Sequence, residues 1–219
     1  MLKGILSRLA RKIRRGVEDK LGIAFSIGVW YQVQVHDNEG NIVSDTGPRR
    51  SHSFLFQFLQ ILYTVIYAAG DIAGGKDTGG TASTVDFSAL VNNYVMACNA
   101  GVASAYGIVV GTGVGVEDNM NYALGTAIAH GVGAGQLQYE AHAWTAPAVV
   151  GANVDFEMRR TFTNGSGGSI TVEEIAVYAR TKKVTSVSTL FCILRDLTGG
   201  VAVADTYTLS VKYTLRTTV

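Results

Sequence analysis

"TYTLSVKYTLR", residues 206–216, decides the fold class. Tyr207, Leu209, Val211, Tyr213 and Leu215 alternate there with Thr208, Ser210, Lys212, Thr214 and Arg216. Successive side chains of a strand point to opposite faces, so this stretch reads as a strand with one buried and one wet face. The same period recurs upstream. "VDFEMRRTFT" sets Val154, Phe156, Met158, Arg160 and Phe162 on one face, and "SITVEEIAVYAR" and "VSTLFCILRD" continue the series. "GIVVGTG" (107–113) reads as a short buried strand, and "QLQYEAHAW" (136–144) alternates again. Nearer the N-terminus, Val29, Tyr31, Val33 and Val35 alternate with Trp30, Gln32, Gln34 and His36. The turn "DNEGN" then leads back through Ile42–Asp45, which predicts a β-hairpin. Strands follow one another without helical periodicity between them, and that order implies antiparallel pairing. The expected fold is mainly β: residues 23–219 form a single antiparallel, jelly-roll-like β-sandwich domain.

Two segments break the pattern. In "MLKGILSRLARKIRRGVEDKLG" (1–22), Leu2, Ile5, Leu6, Leu9, Ile13 and Val17 fall at helical spacing. Arg8, Arg11, Lys12, Arg14 and Arg15 fill much of the remaining circumference, which predicts a basic amphipathic helical arm. Its apolar positions form the expected assembly contact, and those five cations form a basic contact face. The arm would also suit a membrane surface or nucleic acid phosphates. No aromatic residue lies among the cations, which disfavours stacking on a single strand. The second segment, residues 51–69, is strongly apolar, yet Ser53, Gln57, Gln60 and Thr64 draw a narrow polar stripe along it. It predicts a buried helix, capped by Ser51 or Ser53 and stopped at Gly70, in preference to a membrane span.

Composition narrows the function classes. The chain has 219 residues, 47% hydrophobic and only 16% charged, with 26 glycines and two prolines. Its net charge of +1 conceals a cationic arm: residues 1–20 balance to +5, which leaves −4 over the rest. Cys98 and Cys192 stand far apart with no C-x-x-C, so two buried free thiols are expected. No secretory signal is legible, and synthesis in a cytoplasm is the expectation.

Candidate chemistry is sparse. Gly70, Gly75 and Lys76 match the spacing of a phosphate-binding loop. Such a loop follows a strand and opens a helix, whereas here a helical segment precedes it and Gly79 and Gly80 follow. Asp77 occupies the place of the magnesium-binding hydroxyl, and Lys76 with Asp77 reads as a solvated tip. "GTGVGV" (111–116) has its third glycine misplaced for a dinucleotide fingerprint and reads as a tight turn or bulge. Asn164-Gly165-Ser166 reads as the loop of a hairpin joining "RRTFTN" to "SITVEEIAVYA". "VEDNMNYALGTAI" predicts a short helix opened by Glu117 and Asp118. His36, His52, His130 and His142 form no metal-ligand spacing. Glu173 and Glu174, as strand neighbours, face opposite ways, and His142 shares a solvated face with Glu140. No cofactor, metal site or catalytic set is expected, so the chain reads as a non-enzyme.

"GIVVGTG", "GQLQY", "RRTFTNGSGGSITVEEIAVYA", "LRD" and "TYTLSVKYTLR", in that order, resemble virion structural proteins of tailed bacteriophages. The resemblance spans about residues 105–219 and extends weakly to "RSHSFLFQFLQILY". It implies a jelly-roll-like sandwich in a capsid, decoration or tail component that binds copies of itself and other virion proteins. Localisation would then be the virion, after synthesis in a host cytoplasm. A receptor- or glycan-binding module is the alternative, favoured if aromatics such as Trp144 or Tyr139 are exposed on one patch. A membrane-active protein using the basic helix is the third.

Overall fold

The computed structural model describes residues 26–51, 72–85, 105–151, 153–182 and 188–218. The expected arm, residues 1–22, lies outside the described residues, and so does the expected helix 51–69 apart from Ser51. That candidate cap donates its hydroxyl to Asp196 Oδ2 at 2.9 Å. Among the described residues the chain is mainly β, its sheets are antiparallel, and no helix occurs.

The strands are β1 (Ser26–His36), β2 (Ile42–Asp45), β3 (Arg49–Arg50), β4 (Ile72–Lys76), β5 (Ala82–Val85) and β6 (Gly107–Gly111). They continue as β7 (Gln138–Val150), β8 (Asn153–Thr163), β9 (Ile170–Lys182), β10 (Ser188–Val203) and β11 (Thr208–Thr218). One sheet has the order β2-β1-β11-β8-β7, with β3 added beside β1. A second has the order β10-β9-β6, and β4 with β5 forms a separate hairpin.

The alternation read from the sequence sets the inner face of the first sheet. Register places Tyr31 opposite Tyr213, Val33 opposite Val211 and Val35 opposite Leu209. Across β11, Met158, Arg160 and Phe162 oppose the same three residues. All nine are buried, and the apolar ones join Ile108, Val110, Ile175, Val177 and Leu194 in one core. Each such aliphatic or aromatic side chain contributes roughly 1.5–3 kcal/mol by leaving water.

Arg160 is the exception in that row, and β6 explains it. As the edge of its sheet, β6 would carry unpaired backbone groups into a dry interior. Arg160 Nη1 donates to both Tyr106 O and Ile108 O at 3.0 Å. Ile108 N donates to His142 Nε2 at 2.8 Å, and Ile128 N to Val110 O at 2.9 Å. Side chains of the first sheet, with the backbone at Ile128, thereby finish the hydrogen bonding of the second. Tyr31 and Tyr213 do the same at β10, donating to Leu197 O and Asp196 Oδ2.

Four local expectations are corrected. Strands β8 and β9 belong to different sheets, so Asn164-Gly165-Ser166 is a crossing and not a hairpin loop. Asn164 is fully buried there, and its amide donates to Gly168 O and Val203 O at 2.8 Å. No helix opens at Glu117: the Asp118 carboxylate accepts from Met120 N, and Asn121 N closes the turn on Asp118 O. A short polar side chain thus captures the backbone before a helical turn can form. Glu140 and His142 do not share a face. A register shift between Tyr139 and His142 turns both of those inward and leaves Glu140 in solvent. Asp77 is 8% exposed, not a solvated tip, because its carboxylate accepts from Gly79 N and Thr81 N in the β4–β5 turn.

Candidate functional site

The sequence-predicted contact residues lie outside the described residues: Leu2, Ile5, Leu6, Leu9, Ile13 and Val17, with Arg8, Arg11, Lys12, Arg14 and Arg15. Three other places emerge from the described strands.

The first is a buried ion pair that holds a loop. Glu174 and Arg195 are 0% and 3% exposed, and Arg195 Nη2 lies 2.7 Å from Glu174 Oε2. Glu174 also accepts from the N–H groups of Gly113, Gly125 and Thr126 at 3.0–3.1 Å. Arg195 Nη1 donates to Val116 O and Asn121 Oδ1, and Nη2 also donates to Gly115 O. Tyr178 OH accepts from Leu124 N at 2.6 Å, and burial raises that phenol's pKa. Glu117 returns the favour from the loop, accepting from Leu197 N at 2.8 Å. The hydrogen bonds that the pair makes beyond itself thus hold loop 112–126, which makes it a structural clamp.

Glycine spacing follows from that clamp. A Cβ on Gly111 would stand 2.6 Å from Thr126 O and 2.7 Å from Glu174 Oε1, and one on Gly113 would collide with the same carboxylate oxygen. Neither glycine has positive φ, so Gly111 and Gly113 are needed for the space the carboxylate and the Thr126 carbonyl take, not for a tight turn. The sequence did carry a signal, because the face Val172–Glu174–Ala176–Tyr178 is otherwise apolar.

The second place is what the clamp presents. Val114, Val116 and Met120 are 76%, 83% and 53% exposed on the pinned loop. At the β7–β8 turn, Val149 and Val150 are 78% and 53% exposed, with Val154 beside them in partial exposure. Trp144, 38% exposed on β7, stacks on Phe156 with ring centroids 5.5 Å apart. Tyr139 is in the core, so of the two aromatics that would favour a glycan-binding patch only Trp144 is exposed.

The third place is a groove of about 210 Å³ on the outer face of the first sheet. Trp30, Thr214 and Glu157 stand abreast on β1, β11 and β8, with Gln32 and Lys212 in the next register row and Gly28, Arg216 and Asp155 on the other side. Pro48 closes one wall. Arg216 donates two hydrogen bonds to Asp155, Nε to Oδ1 at 2.7 Å and Nη2 to Oδ2 at 2.6 Å. That contact holds the Asp155 carboxyl below its ordinary range.

Among the described residues no three His, Cys, Asp or Glu side chains come together as a metal site. His130 Nδ1 accepts from Tyr139 N at 3.0 Å, as His142 does from Ile108, so both rings serve the backbone. Cys192 is a buried free thiol whose pKa burial pushes up, and Cys98 lies outside the described residues. No described helix is long and apolar enough to cross a membrane. Lys76 sits 5.5 Å from the Tyr122 ring centroid, on a strand and not in a phosphate cradle. No family model, curated protein or solved structure matches the chain.

Proposed function

We propose that the chain is a non-enzymatic structural subunit of a bacteriophage particle, a capsid, decoration or tail component, that assembles with copies of itself and other virion proteins. In this reading the two hydrogen-bonded sheets are the layers of a jelly-roll-like sandwich. The arm 1–22 reaches a neighbouring copy through its apolar positions.

One observation carries the reading. From Ala141 to Val154 the sequence has no Asp, Glu, Lys or Arg, yet Trp144, Val149, Val150 and Val154 of that stretch are partly or largely exposed. Depletion of charge with aromatic and aliphatic enrichment is what the buried centre of a protein interface has. An uncharged apolar turn left in water is an aggregation liability unless a partner covers it. Backbone pairing along the β7 edge is a poorer route to assembly. Register shifts at Tyr139–His142 and Thr145–Ala148 interrupt that edge, and Pro147 lies within the second.

Quantitative mass spectrometry of purified particles tests the reading. The chain is expected in many copies per particle, and its absence from intact particles would refute the proposal.

A further inference from the structure

We propose that the groove on the outer face of the first sheet binds one ring of a neutral saccharide. The inference uses different residues from the assembly surface and does not depend on it.

The floor comes first. Trp30 is half-buried, and its six-membered ring packs so closely on Gly28 that a Cβ there would stand 2.6 Å from Cη2. Glycine therefore lets the indole fold back along its own strand. Arg216 lies 5.4 Å from the ring centroid and holds it from the neighbouring strand. The result is an aromatic plate fixed before any ligand arrives, the kind of apolar surface on which the C–H face of a pyranose packs.

The rim supplies polar groups of both kinds. Gln32 Nε2 is occupied by the Asp45 carboxylate, which leaves Oε1 as an acceptor. Glu157 Oε1 takes Thr214 Oγ1 at 3.1 Å and Lys212 Nζ at 3.3 Å, which leaves Oε2. Lys212 and the Trp30 indole N–H supply donors. A hydroxyl group donates and accepts at once, so a polyol can use an alternating rim that a pure donor or acceptor cannot.

Charge and size then select within polar ligands. Asp155 and Glu157 balance Arg216 and Lys212, and each carboxylate already has its cation. Of these four only Glu157, Lys212 and Arg216 line the groove, and both cations are already paired. No unpaired charge among them is left to hold an ionic ligand, so a neutral one is favoured. At about 210 Å³ the groove is smaller than the roughly 300–1,000 Å³ of drug-sized sites, which fits a single ring.

The test is an array of neutral and acidic glycans probed with the full-length chain, followed by saturation-transfer NMR with methyl hexosides of the retained sugars. Wild type is expected to retain neutral hexose-containing glycans, and Trp30→Ala to bind them at least about tenfold more weakly. Glu157→Gln, with an unchanged thermal midpoint, is expected to weaken binding severalfold. Retention of no glycan, retention of only sialylated or sulfated ones, or equal binding by Trp30→Ala would overturn the proposal. If Trp30→Ala does not fold, Gln32→Ala and Glu157→Gln decide, and unchanged affinity in both counts against it.

Discussion

Arg195 Nη2 lies 2.7 Å from Glu174 Oε2, with both side chains closed off from solvent. The pair is useful because of what else it touches: three N–H groups and two carbonyls of loop 112–126 end on it. Removing one partner leaves an unpaired buried charge, so Arg195→Met and Glu174→Ala should each cost about 3–5 kcal/mol in urea unfolding. A double replacement, Glu174→Leu with Arg195→Met, removes both charges yet should not restore stability. The N–H groups of Gly113, Gly125 and Thr126 would still be orphaned, at about 1–3 kcal/mol each if they stay dry. Full recovery in the double variant would show that the loop does not depend on the carboxylate.

Glycine substitutions separate space from backbone freedom. Gly111→Ala pushes a methyl group into Thr126 O and the Glu174 carboxylate, Gly113→Ala into the carboxylate, and each should lose about 1–3 kcal/mol by overpacking. At Gly115 the nearest atom to a new Cβ is Arg195 Nη2 at 3.6 Å, an ordinary contact. Gly115→Ala should leave the urea midpoint unchanged. Equal behaviour of the three variants would contradict the steric account.

Acid sensitivity follows from the carboxylates. Hydrogen bonds from Arg216 hold Asp155 below its ordinary value of 3.8, and bonds from Gln32 and Gln34 do the same for Asp45. A depressed pKa means that the unfolded chain binds the proton more readily. Stability from these groups is therefore complete above the unfolded value and is lost as pH falls through the folded one. Thermal midpoints of wild type should drop between about pH 5 and pH 2, and those of Asp155→Asn should drop less. Parallel curves for the two proteins would remove Asp155 from the explanation.

Much of the architecture was legible because burial here obeys period two. The inward rows of β1, β8 and β11 were readable residue by residue, Arg160 included, and so was the turn after His36. Partner strands were not readable. "RRTFTNGSGGSITV" has the appearance of a hairpin, since sequence cannot tell a turn within a sheet from a crossing between sheets. The fully buried Asn164, bonded to Val203 O across the crossing, makes the difference. Period two also failed at β7, where a register shift sends Tyr139 and His142 to the same side. The Glu174 clamp was half visible: its acid sat on an apolar face, but the cation that pairs with it comes from another strand.

Arg160 offers a sharper check on the packing. Its Nη1 serves two carbonyls of β6, and its guanidinium lies 4.7 Å from the Tyr139 ring centroid. Arg160→Met keeps bulk but removes the donor to Tyr106 O, Ile108 O and Glu140 O. It should cost about 3 kcal/mol or more, by the rule for unsatisfied buried groups. Hydrogen exchange should rise first at the β6 amides. Uniform exchange changes across both sheets would argue that Arg160 acts only by filling space.

Self-assembly is the central claim, and sedimentation velocity of the full-length chain over a wide concentration range tests it most directly. The account predicts a defined species larger than the monomer. It also predicts that the double replacement Val149→Asp with Val150→Asp shifts this species toward monomer without altering the thermal midpoint. A chain that stays monomeric at every concentration, or an assembly indifferent to those two charges, would contradict it.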